Sequence, residues 1–339
     1  MKNKRNLVFV VLALLLLVSV ATAVAIGPVR ISVIHILAIF YHKIFLWSNP
    51  PVAGPTDEII WHIRLPRVLL AVLVGLSLAM AGTTFQCLFR NPMADPYIIG
   101  VSAGAGLGAT LAIVLHLRLL HFSAVPPMAF VTAMLTTFAV YGLAKRGRSV
   151  SVVTLLLAGI AVSSFLSAVI SFLMVLGKEG LQQAFLWLLG GLSERGWGHV
   201  EMILPYALVG SLVLFIFARD LNILLLGEES AEHLGIDVER LKKIMVAAAT
   251  LMTAAAVSVS GLIGFVGLIV PHMMRIVVGP DHRRLLPAAA LGGAIIMVWA
   301  DTFARSALQA GEIPLGVVTA LLGAPFFIYL LRTTVGKAF

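Results

Sequence analysis

His272 and Arg275 stand three residues apart in the apolar run GLIGFVGLIVPHMMRIVVG, the nearest this sequence comes to a reactive pair. A metal couple on a helix needs a second His or carboxylate four residues away, and acid–base work needs a titratable partner; neither stands at that spacing. The other histidines, at 35, 42, 62, 116, 121, 199, 233 and 282, fall at segment edges or in loops, and haem ligation by one of them is the minor reading. Cys87 is the sole cysteine, which excludes an internal disulfide and a cysteine metal cluster. No catalytic, cofactor-binding or metal-binding residue is therefore assigned. A G-x-x-x-x-G-K-[ST] phosphate loop is also missing, so ATP hydrolysis by this chain is not expected. Ion-coupled transport calls for carboxylates inside spans, yet none of the acids, from Asp57 to Glu312, sits at the centre of one. An ion-coupled secondary transporter and a polytopic membrane enzyme are thus the weaker alternatives.

These residues are positioned by a chain that is 60% hydrophobic and only 12% charged. Soluble domains carry about 25% charged residues, so this is an integral membrane protein. Ten runs are long enough to cross the hydrocarbon: 7–28, 65–88, 94–114, 124–143, 150–176, 199–218, 242–260, 262–278, 285–304 and 313–331. They are continuous rather than alternating, so the fold class is all-α, one domain over 1–339. The first run, after Lys2, Lys4 and Arg5 and ending in ATAVA, resembles a secretory signal; with nine spans behind it, a first transmembrane helix is the better reading. A shorter piece, 181–192, ends in Gly190-Gly191 and reads as re-entrant or interfacial. With both termini cytoplasmic, most basic residues lie in inner loops, so the net charge of +9 reports orientation and not nucleic-acid binding.

Two stretches interrupt the apolar pattern. In RNPMADPYIIGVSAGAG (90–106), Pro92 and Pro96 break the helix and Asp95 can cap the next one. Its segment 82–100 can be laid over 261–279, matching Gly82 with Gly261, Pro92 with Pro271 and Gly100 with Gly279, which suggests an inverted repeat with a mirrored break at Pro271. The polar segment about 219–242 is punctuated by Gly227 and Gly235, opens a short helix with Glu228, Glu229 and Glu232, and carries apolar residues including Leu226. It reads as a docking surface for another protein.

RLPR (64–67), AGTTFQCLFRNPMADPYIIGVSAGAG, LLLAGIA (155–161), LNILLLGEESAEHLGI, GLIGFVGLIVPHMMRIVVGPDHRRLLPAAALGGA and IPLGVVTALLGAPFFIYLL together resemble the permease family of ABC importers for iron–siderophore complexes, haem and vitamin B12. The resemblance runs from about Arg64 to Leu331 and implies a type II importer permease with an inverted internal repeat. It implies a homodimer in the cytoplasmic (inner) membrane, with two ATPase subunits that carry the ATP and Mg, and an external substrate-binding protein. By the same resemblance, Leu226, Gly227, Glu228, Glu229, Glu232 and Gly235 belong to the coupling segment that seats in the ATPase. Arg64, Arg67 and Arg305 match arginines that receive acids of the binding protein, which suits exposed guanidinium groups. Ser151, Val152, Val153 and Thr154 fall at the inner constriction, more apolar here than related gates, and 179–197 resembles a short outer helix near the cargo entrance.

Overall fold

The computed structural model describes residues 2–27, 36, 38–39, 41, 43, 54–119, 122–147, 149–308 and 311–334. Among these, seven helices are long and apolar enough to cross a membrane and three shorter apolar helices join them, matching the ten predicted spans. In chain order the α-helices of six residues or more are α1 (Lys2–Ala25), α2 (Leu65–Leu88), α3 (Val101–Val114), α4 (Val125–Ala144), α5 (Val152–Leu176), α6 (Leu181–Leu188), α7 (Trp197–Ile216), α8 (Ala218–Leu224), α9 (Glu228–His233), α10 (Val238–Ser260), α11 (Val266–Val278), α12 (His282–Ser306) and α13 (Leu315–Thr334), with a short helical turn Pro55–Glu58 and a π-helical turn Ile59–Arg64 running into α2. Two-residue antiparallel ladders close the loops beside α4: β1 (Arg118–Leu119) with β2 (Phe122–Ser123), and β3 (Lys145–Arg146) with β4 (Ser149–Val150).

Helices α2, α10 and α12 form the centre of the bundle. The most apolar window of the segment leading into α2 is 83% buried, whereas that of α5 is 17% buried. Close approach at the centre depends on glycine. A Cβ on Gly75 of α2 would strike the Gly293 carbonyl of α12, and a Cβ on Gly293 would strike that of Gly75. The two backbones therefore touch, as small-residue seams permit between membrane helices. Helix α1 belongs to the bundle, because Trp299 Nε1 of α12 donates to Ser19 Oγ at 2.9 Å. That contact favours a structural first helix over a signal segment.

The break at 90–100 is where the sequence put it, with one change. Asp95 Oδ1 accepts from Tyr97 N–H at 2.8 Å and so caps the 3-10 turn Pro96–Ile99. The following α3 starts instead behind Gly100, whose φ of 85° suits glycine. The expectation at Pro271 is overturned: it lies inside α11, which continues through it to Val278. Pro271 offers no N–H to the Gly267 carbonyl and its ring crowds that group, but the carbonyl is packed against Gly82 of α2, where no Cβ fits. The real break precedes α11, in the unwound stretch from Gly261 (φ 68°) to Phe265 (φ 68°). Residue matching between 82–100 and 261–279 is correspondingly partial. Gly82 lies within a helix and Gly261 ends one, whereas Gly100 and Gly279 are both at positive φ.

Candidate functional site

At one end of the bundle the predicted arginines converge, but inward. Arg64 Nη1 donates to the Val24 and Ala25 carbonyls at 3.0 Å each, and Arg305 Nη2 donates to the Ala23 carbonyl. These are last-turn carbonyls of α1, which have no partner within their own helix and sit at the negative end of its dipole. Arg67 is gripped from two sides: by Asp301 of α12 at 2.9–3.1 Å and by Glu312 at 2.8 and 2.9 Å. Asp301 also lies 3.7 Å from Arg305 Nε. Arg64 and Arg305 are buried, at 4% and 7% exposure, so the expected display of three exposed guanidinium groups is corrected. Burying such charges needs compensation: Asp301 and Glu312 supply it to Arg67, Asp301 and the Ala23 carbonyl to Arg305, and the Val24 and Ala25 carbonyls to Arg64, although Arg305 Nε itself makes no hydrogen bond among the described residues.

Asp301 and Glu312 belong to this cluster and were not singled out by the sequence pattern. One signal was available: Asp301 and Arg305 are four apart on one helix face. Arg67, 234 residues from Asp301, left none. Ser193 Oγ donates to Glu312, tying in the loop after α6. Hydrogen bonds from Arg67 hold the Glu312 carboxyl below the usual carboxylate range, against the opposing effect of its burial. A half-open cavity of about 470 Å³ adjoins this cluster, with Arg67, Gln183, Trp187, Ser193, Arg195 and Glu312 in its wall.

Short helix α6 is the piece expected to be re-entrant or interfacial, and the irregular backbone at its end is satisfied by neighbouring elements. Gly190 and Leu189 carbonyls accept from Leu315 and Gly316 N–H of α13 at 2.9 and 3.1 Å, and Gly191 N–H donates to the Ser260 carbonyl at 2.7 Å. Every one of those partners is protein, which meets the demand that hydrocarbon places on the backbone.

The opposite end carries the predicted coupling segment as α8 and α9, punctuated by Gly227 (φ 121°) and Gly235 (φ 84°). Leu225, Leu226 and Leu234 project from it at 41%, 68% and 61% exposure, and Glu229 and Glu232 are exposed beside them. Glu228 turns inward, 2.6 Å from Lys242 Nζ and 3.8 Å from Arg90. Asn222 of α8 donates to Asp281 Oδ1 at 2.7 Å and accepts from His282 N–H at 2.8 Å, fastening α8 to the start of α12. Burial acts to raise the Asp281 carboxyl, but the hydrogen bonds from Asn222 and Arg283 N–H, with the charges of Arg283 and Arg284, bring it below its ordinary value.

Ser151 to Thr154 open α5 directly after β4, with Ser151 and Val153 exposed. His272 and Arg275 do not form a reactive pair: Arg275 Nη2 donates to Gln86 Oε1 at 2.9 Å, while Gln86 Nε2 donates to the Leu268 carbonyl at 2.9 Å, stitching α11 to α2. Among the described residues, no cluster of three or more His, Cys, Asp or Glu side chains is arranged to hold a metal.

The described residues thus form a polytopic α-bundle with the short helix α6 at one end and an exposed pair of short helices, α8 and α9, at the other. The chain belongs to the FecCD transport family, whose sequence profile matches residues 14–333. It is 52% identical over 281 residues to the cobalamin import system permease protein BtuC of Halobacterium salinarum, covering 83% of this chain and 75% of that one. It is 41% identical over 304 residues to the hemin transport system permease protein HmuU of Yersinia pestis, covering 84% and 86%. Among solved structures, an inward-facing conformation of a metal-chelate type ABC transporter superposes with a TM-score of 0.84 at 32% identity, covering 96% of this chain and 98% of that one. These relatives are transport components, and the chain is a multi-pass permease rather than an enzyme.

Proposed function

We propose that this chain is the membrane subunit of a binding-protein-dependent importer for a metal chelate or tetrapyrrole cargo, of the haem or corrinoid kind. It works as a homodimer in the cytoplasmic membrane with both termini inside. The observation that carries the reading is the surface of α8 and α9. Three leucines project into solvent beside acidic residues, on a chain that has no nucleotide-binding motif of its own. An apolar patch with a charged rim is what a protein partner covers, and here the partner is a pair of ATPase subunits. The names of the relatives support the cargo class.

The second copy is supported by one face of α5. Val153, Leu157, Ala161, Ser164, Ala168, Ser171 and Val175 follow one another at helical spacing, all exposed. A lipid-facing stripe has no use for its small and hydroxyl residues, whereas a wide passage between two copies does. Docking of a binding protein is retained in altered form. Arg67 is reached only by an acid that displaces Glu312, and Arg64 and Arg305 act from behind by fixing α1.

The test is co-purification and transport. Replacing Leu225, Leu226 and Leu234 by Asp is expected to strip the ATPase from the permease while leaving its elution in detergent unchanged. An ATPase that stays bound to this variant contradicts the proposal. Uptake of cyanocobalamin and of haem into vesicles holding the complete system decides between the two cargoes, and ATP-independent uptake driven by an ion gradient would point to the secondary-transporter alternative.

A further inference from the structure

Lys242, near the start of α10, is buried and carries its ammonium into a junction of three elements. Its Nζ lies 2.6 Å from Glu228 Oε2, 3.2 Å from Glu239 Oε1 and 3.4 Å from the Val150 carbonyl. Glu239 Oε1 in turn accepts from Val150 N–H at 3.4 Å. Glu228 is the first residue of α9, in the segment assigned to the ATPase. Val150 ends β4 and directly precedes the gate residues Ser151 to Thr154.

We infer that Lys242 and Glu239 form a latch that passes displacement of α9 to the gate at the start of α5. The inference rests on the reading of α8 and α9 as the ATPase-docking surface. A desolvated ammonium holds its carboxylates strongly, because few water molecules compete for it. When the ATPase shifts α9, Glu228 and Lys242 move together, and Lys242 and Glu239 hold both backbone groups of Val150. The ladder of β4 with β3 pairs Val150 with Lys145. Two buried groups at the junction, Glu239 Oε2 and Tyr141 Oη, lack a hydrogen-bond partner among the described residues. Both are available as partners for a second arrangement of the latch. Lys242 is thus a positioning residue, acting on the gate through Val150.

The experiment uses the reconstituted permease–ATPase complex carrying V153C, read by its rate of maleimide labelling with and without a non-hydrolysable ATP analogue. Cys87, the only native cysteine, is buried and leaves the background low. In the parent, nucleotide is expected to change labelling about tenfold, as a shift between two gate states does. K242M is expected to keep assembly and ATP hydrolysis but to lose that nucleotide dependence, and K242R to restore it. A K242M complex whose labelling still responds to nucleotide overturns the latch. So does a parallel loss of hydrolysis and gating, which assigns Lys242 to assembly alone. A parent with no nucleotide response removes the gate at Val153 and the latch with it, whereas an ATPase that stays bound to the triple leucine variant defeats the docking reading separately.

Discussion

Arg67 and Asp301, one on α2 and one on α12, meet with three guanidinium–carboxylate contacts of 2.9–3.1 Å, and the carboxylate is almost wholly buried. The pair joins the two central helices at the end where the Gly75–Gly293 seam leaves off. Removing Asp301 leaves buried Arg305 without its carboxylate and Arg67 with Glu312 alone. D301A is expected to cost about 3–5 kcal/mol, and R67M with D301L somewhat less, because Arg67 is then no longer half-paired although Arg305 still lacks its acid. Thermal unfolding of the detergent-solubilised permease measures both; equal losses for single and double variants would show that the pair contributes only packing.

Arg305 has a distinguishable task. Its Nη2 caps the Ala23 carbonyl at the end of α1, so R305A is expected to loosen α1 while α2, α10 and α12 remain folded. Limited proteolysis reads this as cleavage near residues 26–27 that the parent resists. Protection unchanged from the parent would place the hold on α1 in Trp299 and Arg64 instead.

The outer network has a pH dependence of defined sign. Glu312 is held below its ordinary value, so the stability it contributes is complete above the unfolded glutamate value of about 4.3 and is lost as pH falls through the lower, folded one. E312Q is therefore expected to melt below the parent at pH 7, with the gap closing only under acid conditions below about pH 4. A gap that closes already near pH 6 means that another group titrates.

Glycine is required where two backbones touch and dispensable where a Cβ would meet open space. G75V or G293V drives a side chain into the facing backbone carbonyl, so loss of the folded protein, or at least about 1–3 kcal/mol, is expected. A Cβ on Gly264 meets nothing within 4 Å, and G264A is expected to be silent. Yield and elution profile separate the two outcomes.

The sequence by itself determined the ten spans, the all-α class, the turn after Asn91 and the cap at Asp95. Its carboxylate accepts from Tyr97 N–H, as local spacing allows. Hydropathy and capping act within a turn or two of chain, so they can be read without knowing what lies opposite. Tertiary structure alone decided the partners. Arg67 finds Asp301 across 234 residues and Lys242 finds Val150 across 92, through helix packing that no local pattern encodes. For the same reason Arg64, Arg67 and Arg305, which composition allows to face water, are turned inward by the end of α1 and two carboxylates. Pro271 shows the converse: a residue that locally argues for a break stays helical, because the Gly267 carbonyl it leaves without an N–H is packed against Gly82 and the rest of α11 is held against α2 by Gln86.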